Sequence, residues 1–160
     1  NTERLVMIPS IAASPDCAFN DLFKMPEDTA ENALALSVHM YKPYPFAMGV
    51  PGGENFTAND KSTLDYYFSK LNDKFVSKGI PVVIGEMGAT NKDNLEDRAE
   101  WFAYFIQHSR QYGMASCLWD NGNEKPSTTE SERYGYYNRN KQEWYFPILT
   151  EIAVEASKTE

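Results

Sequence analysis

The chain has 160 residues, with 15 Lys and Arg against 23 Asp and Glu and a formal net charge of −8. That length suits one domain over residues 1–160, and 42% apolar and aromatic side chains suffice for a core, which excludes a disordered chain. The acidic balance excludes nucleic acid and anionic membranes as partners, and no run nears the roughly 18 apolar residues of a bilayer span.

Strand-like and helix-like stretches alternate along the chain. Arg4 to Pro9 is a short apolar run stopped by Pro9 and Ser10, and reads as a first strand. The connection from Ile11 to Asn32 is ambiguous. Ala33 to Tyr41 reads as a second strand, ended by the breakers Pro43 and Pro45. Leu64, Tyr67, Phe68, Leu71 and Phe75 recur at three and four residues, the pattern of a helix with one apolar face, closed by Gly79 and Pro81. Pro81 to Gly85 is a third strand, with Glu86 at its end. Leu95, Ala99, Phe102 and Ile106 predict a second helix, with Asn94 as N-cap and Gly113 as its stop. Ala115 to Trp119 is a fourth strand running into the turn Asp120-Asn121-Gly122. The stretch from about Glu143 to Ala156 reads as a last helix.

Apolar strands alternating with helices predict an α/β fold with a parallel sheet. The strand ends Ser10, Tyr41, Glu86 and Trp119 are separated by 31, 45 and 33 residues, a stride typical of βα units in an eight-stranded barrel. Four such units are half a barrel. A doubly wound open sheet competes, but no glycine-rich phosphate loop follows any strand, so its nucleotide-binding versions lack support. Cys17 and Cys117 stand a hundred residues apart without C-x-x-C spacing, which excludes zinc ribbons, iron–sulfur clusters and a dense disulfide framework and leaves one long-loop disulfide open.

Active sites of parallel α/β folds gather at the carboxyl ends of strands, and here those ends carry His39, Tyr41, Glu86 and Trp119. His39 and Tyr41 are two apart, so on a strand they share a face and can reach one ligand. Taken alone, His39 fits a core histidine and Tyr41 fits a packed aromatic loop with Tyr44. Glu86 is harder to explain structurally, because an acid after Val-Val-Ile-Gly is a poor core residue unless paired. Burial would raise its pKa unless donors favour the anion, and an imidazole and a phenol are suitable donors. Trp119 beside Asp120 and Asn121 makes a stacking surface with a polar rim, which suits a sugar ring.

The strings Ser37-Val38-His39-Met40-Tyr41 before Pro43-Tyr44, Gly85-Glu86-Met87-Gly88-Ala89 and Leu118-Trp119-Asp120-Asn121-Gly122 resemble glycoside hydrolase family 5 endoglucanases. The likeness is to the rumen and clostridial subgroup, and Met7 to Ser10, Lys78 to Ile84, Asn94 to Arg98 and Asn138 to Asn140 extend it over essentially all of the chain. It implies a retaining β-glycosidase on a (β/α)8 barrel, of which this chain is the C-terminal half, strands five to eight. Glu86 matches the nucleophile after the seventh strand. His39 and Tyr41 match the sixth-strand pair around the catalytic carboxyls, Trp119 the eighth-strand sugar platform, and Lys92 a substrate-contacting lysine, with Asn121 on the rim.

Two departures stand out. Related sequences read Trp-Trp-Asp-Asn where this one has Leu118-Trp119-Asp120-Asn121, and the Asn-Glu-Pro motif that carries the acid/base after the fourth strand is absent. Asn123-Glu124 is followed by Lys125 and falls after the eighth strand, a poor substitute. The resemblance thus implies an endo-β-1,4-glucanase whose isolated half is weakly active or inactive, with β-glucan as substrate and xyloglucan, xylan or mannan as other choices. No metal or organic cofactor is required, and the resemblance implies secretion. The half barrel would be completed by an N-terminal half or by a second copy of the chain. A noncatalytic glucan-binding or self-assembling half barrel is the competing reading. The loop Met48 to Asp60, rich in Gly and Asn, is the local feature best placed to touch a branched glucan.

Overall fold

The structure, a computed structural model, describes residues 4–124 and 132–158; Lys125 lies outside them. Four strands, β1 (Val6–Pro9), β2 (Leu34–His39), β3 (Val82–Met87) and β4 (Ala115–Leu118), form one parallel sheet in chain order. Each is short and rich in β-branched or small residues, as strands covered by helices usually are. A parallel ladder needs a crossover between successive strands, and α3 (Ala58–Lys74) and α4 (Leu95–Gln111) supply two of them. Each of these is long enough to cover the sheet. The ambiguous connection after β1 holds a 3-10 turn, Ile11–Ala13, and the short helix α1 (Pro15–Phe19).

Helix α3 starts on a capping box in which Thr57 and Asp60 exchange backbone and side-chain bonds, and it buries Leu64, Tyr67, Phe68 and Leu71. Its end is a 3-10 turn, Val76–Lys78, followed by Gly79 at φ +80°, a left-handed conformation glycine adopts without a Cβ clash. Helix α4 buries Phe102 of the expected stripe together with Trp101 and Phe105, while Ala99 and Ile106 pack half-buried against the core and Leu95 is exposed. Asn94 stands at the N-cap position but makes no side-chain cap; its amide donates to Glu54 O at 2.6 Å and its carbonyl accepts from Lys92 N.

The expected last helix begins later than Glu143. Glu143–Trp144 (β6) instead pairs antiparallel with Tyr137–Asn138 (β5), the rings of Tyr137 and Trp144 meeting edge to face at 4.9 Å. Helix α5 (Pro147–Ala156) follows, opened by Pro147, which has no N–H to leave unpaired in a first turn. A short helix, α2 (Tyr44–Ala47), sits just after β2.

The core lies on the helix side of the sheet, where Leu36, Val38, Ile84 and Met87 meet Phe68, Trp101 and Phe105. Among the described residues no helix covers the other side. Register places Met7 beside Ala35, Ser37 beside Val83, and Val83 beside Ala115 on that second face, and Met7 keeps 52% of its surface exposed. β1 and β4 are largely exposed, each with one strand neighbour. A four-stranded parallel sheet with helices packed on one side fits half of an eight-stranded barrel. Cys17 and Cys117 are free thiols, so the long-loop disulfide left open by the sequence does not form.

Candidate active site

The carboxyl end of β3 departs from regular pairing. Val38 pairs with Ile84, but His39 pairs with Glu86, so β3 gains one residue on β2 at Gly85. Strict alternation would send Glu86 toward the same face as Ile84. A bulge re-aims the side chain that follows it, a device common beside active sites. Gly85 makes room as well: a Cβ there would stand 3.3 Å from Ser37 Oγ and 3.6 Å from the His39 ring.

Glu86, His39 and Tyr41 come together as a cluster. The Tyr41 hydroxyl donates to Glu86 Oε2 at 2.8 Å, and His39 Nδ1 lies 3.3 Å from that same oxygen. Both contacts fall on Oε2; among the described residues no hydrogen bond is made to Oε1. The Glu86 side chain is 25% exposed, enough to meet a ligand and too little for free hydration. Burial, then the hydrogen bond and charge of Glu86, pushes the Tyr41 phenol well above the usual tyrosine range, so it remains a donor throughout ordinary pH.

Residues that the sequence did not single out hold this cluster in place. Tyr134 is fully buried, packs its ring 5.5 Å from that of Tyr41, and donates its hydroxyl to Ala47 O at 2.7 Å. Trp101 Nε1 donates to Lys42 O at 2.9 Å, fixing the backbone next to Tyr41. After the nucleophile candidate, Ala89 O accepts from the Tyr136 hydroxyl and from Arg98 Nε, and a Cβ at Gly88 would come within 3.2 Å of the Tyr134 ring. Aromatic residues far along the chain carried no local signal for such roles. Only their polar tips, on rings large enough for the core, marked them.

The remaining expected residues, Trp119, Lys92 and Asn121, make contacts of their own. Trp119 leaves the end of β4 with its backbone N–H donating to Met87 O and 41% of its surface exposed. Lys92 spends its ammonium on three backbone carbonyls, Pro45, Val50 and Gly52, at 2.5 to 3.0 Å. Burial holds its pKa below the usual lysine range, with Glu54 opposing. Asn121 accepts from Asn123 N and Tyr134 N and donates to Glu132 O, which shapes its own turn. Leu118, exposed by 41%, lines an apolar cleft of about 430 Å³ with Met87, Tyr136, Trp144 and Leu149, beside the free edge of β4. Among the described residues no group of three His, Cys, Asp or Glu could hold a metal ion, and no helix is long and apolar enough to cross a membrane.

One carboxylate, with a phenol and an imidazole at one oxygen, thus stands at the carboxyl rim of a parallel sheet. Known proteins place the chain in a family. The sequence model of cellulase, glycosyl hydrolase family 5, matches residues 1–125. Endoglucanase B of Neocallimastix patriciarum is 38% identical over 150 residues, covering 93% of this chain and 30% of its own length. Endoglucanase 1 of Ruminococcus albus is 38% identical, covering 94% of this chain and 36% of its own length. A mutant glycoside hydrolase 5 lichenase from Caldicellulosiruptor sp., solved with cellotetraose, superposes with a TM-score of 0.89 at 36% identity over 98% of this chain and 44% of that one. The chain thus spans about a third of the length of these curated relatives and under half of the solved barrel. It belongs to glycosyl hydrolase family 5, the cellulase family.

Proposed function

We propose that this chain supplies the nucleophile half of a retaining endo-β-1,4-glucanase site, with Glu86 as the nucleophile. The observation that carries the reading is the convergence of Tyr41 and His39 on Oε2 of Glu86. The Tyr41 hydroxyl on Oε2, with His39 Nδ1 beside the same oxygen, fixes the rotation of the carboxylate, and Oε1 is left to attack the anomeric carbon. In that step the Oε1–C1 bond forms as the glycosidic C1–O bond breaks, and the leaving oxygen takes a proton from a general acid. Water then cleaves the glycosyl ester and restores Glu86.

Retaining chemistry needs the two carboxyl groups about 5 to 5.5 Å apart. The acid is not among the residues gathered around Glu86, and a general acid is worth roughly 10² to 10⁴ in rate. The second carboxyl therefore belongs to an N-terminal half of the barrel that closes on β1 and β4. Chain alone is expected to be weakly active or inactive. Trp119 supplies a face on which the sugar beside Glu86 stacks, Asn121 shapes the rim beneath it, and Lys92 acts by holding the 45–52 turn rather than by reaching sugar. β-Glucan is the substrate class, and secretion follows from a polymeric substrate that does not enter cells.

The competing reading, a noncatalytic glucan-binding or self-assembling half barrel, is favoured by the bare sheet face and the exposed edges. Reducing-sugar release from soluble cellulose separates the two. Activity that appears when the chain is combined with the N-terminal half of a relative's barrel, and vanishes with Glu86→Gln, supports the enzyme. Combined halves that bind glucan and never cleave it refute it.

A further inference from the structure

We infer that Tyr136 is a positioning residue for Glu86, holding the backbone just past it, with Asp120 fixing Tyr136 in turn; this rests on the glucanase reading above and deepens it. The sheet alone leaves the place of Glu86 loosely determined. Pairing of β3 with β2 shifts between Val38 and His39, and pairing with β4 shifts between Ile84 and Met87, so both ladders are irregular around Glu86. β3 then ends at Met87. Past that point side chains take over from the ladder as anchors of the backbone.

Tyr136 is such an anchor at Ala89, three residues past Glu86. Its hydroxyl donates to Ala89 O at 3.0 Å and accepts from Ala89 N at 3.3 Å, so one oxygen closes on both backbone groups of a fully buried residue. Arg98 Nε shares the carbonyl at 3.2 Å, while the N–H is given to Tyr136. Removing the hydroxyl strips a buried N–H of that acceptor, a cost the segment lowers only by moving. The ring is itself fixed, edge to face on Phe102 at 5.5 Å and 5.4 Å from the Arg98 guanidinium carbon. Burial, opposed by Arg98, raises the Tyr136 pKa, so the hydroxyl keeps the proton it donates.

Asp120 holds the backbone end of Tyr136. It follows Trp119 just past β4, with 17% of its side chain exposed. Oδ1 accepts from Gly122 N at 2.7 Å and from Tyr136 N at 3.3 Å, and Oδ2 meets Arg139 at 3.1 Å. Trp119 N donates to Met87 O at 2.9 Å. The end of β4 therefore reaches the residues after Glu86 by two routes, directly at Met87 and through Tyr136 at Ala89. A tilt of this segment turns the Glu86 carboxylate away from the Tyr41 hydroxyl that fixes its rotation.

Rates on soluble cellulose, measured on the chain combined with the N-terminal half of a relative's barrel, test this. Tyr136→Phe should lower kcat about tenfold with KM nearly unchanged. In a Tyr41→Phe background the same change should cost less than about twofold, because the contact it sets is already gone. Asp120→Asn keeps an oxygen for Gly122 N and Tyr136 N and should retain most of the rate, whereas Asp120→Ala should lose about as much as Tyr136→Phe. Tyr136→Phe at the parent kcat, or a loss as large in the Tyr41→Phe background as in the parent, overturns the inference and leaves Glu86 as the nucleophile. Should Tyr136→Phe fail to assemble, the two Asp120 variants decide alone, and equal rates for them overturn it. Cleavage that survives Glu86→Gln defeats the Glu86 reading instead, and the inference with it.

Discussion

Tyr41 and Glu86, 45 residues apart in the chain, meet at 2.8 Å through the phenol and Oε2. The contact crosses from the end of β2 to the end of β3 and depends on the extra β3 residue at Gly85. A hydrogen bond to a charged group is worth about 1.5 to 3 kcal/mol. Tyr41→Phe keeps the ring packing on Tyr134 and removes only the donor. In the completed barrel it should slow glycosylation of Glu86 by roughly tenfold to a hundredfold, with KM for soluble glucan nearly unchanged; an unaltered rate would assign the phenol no part in the chemistry.

Gly85→Ala tests the space beside the cluster. The new Cβ meets Ser37 Oγ at 3.3 Å and the His39 ring at 3.6 Å, so the imidazole must give by a few tenths of an ångström or lose its contact with Glu86. Overpacking of this size costs about 1 kcal/mol. The larger effect falls on His39, whose ring NMR signals should shift while the core signals of Phe68 and Phe105 stay put.

Gly53→Ala tests the turn that Lys92 holds. Gly53 has φ +68°, and the added Cβ would strike the Pro45 backbone at 2.5 Å, which nothing flexible can relieve. Urea unfolding should show a loss of about 2 kcal/mol, and hydrogen exchange should speed up across residues 44–53. A loss without local exchange would place the strain elsewhere.

Asp16 gives a pH test of the fold. Burial works to raise its carboxyl, but hydrogen bonds from Tyr67 at 2.7 Å and Lys42 at 3.0 Å outweigh it and hold the pKa below the usual aspartate value. A carboxyl whose folded pKa is depressed stabilises the fold above its unfolded pKa and loses that contribution as pH falls through the folded one. Asp16→Asn should therefore cost about 0.5 to 1 kcal/mol at neutral pH, since the Asp16 side chain is half exposed, and the deficit should close below about pH 4. Equal deficits at both pH values would assign the effect to packing.

Much of this was legible in the sequence because local pattern and tertiary role coincide. β3 ends in an acid after β-branched residues, and α3 repeats its apolar positions at helical spacing, so both read correctly from composition and period. The family strings brought His39, Tyr41 and Glu86 together before any coordinates did. What failed to read depends on contacts between distant segments. Glu143-Trp144 looks helical by itself, yet pairs with Tyr137-Asn138 because two aromatic rings meet across the ladder. Lys92 also holds three carbonyls of another loop, contacts that no local pattern marks. Asn94 looks like a cap, yet its side chain serves Glu54 and Lys92.

The most direct measurement is covalent trapping. Chain combined with the N-terminal half of a relative's barrel is treated with an activated 2-fluoro cellobioside, digested and mapped by mass spectrometry. The adduct should sit on Glu86, form far more slowly with Tyr41→Phe, and be absent from Glu86→Gln. A sugar ester on another carboxylate, in halves that assemble and cleave glucan, would contradict the assignment of Glu86 as the attacking group.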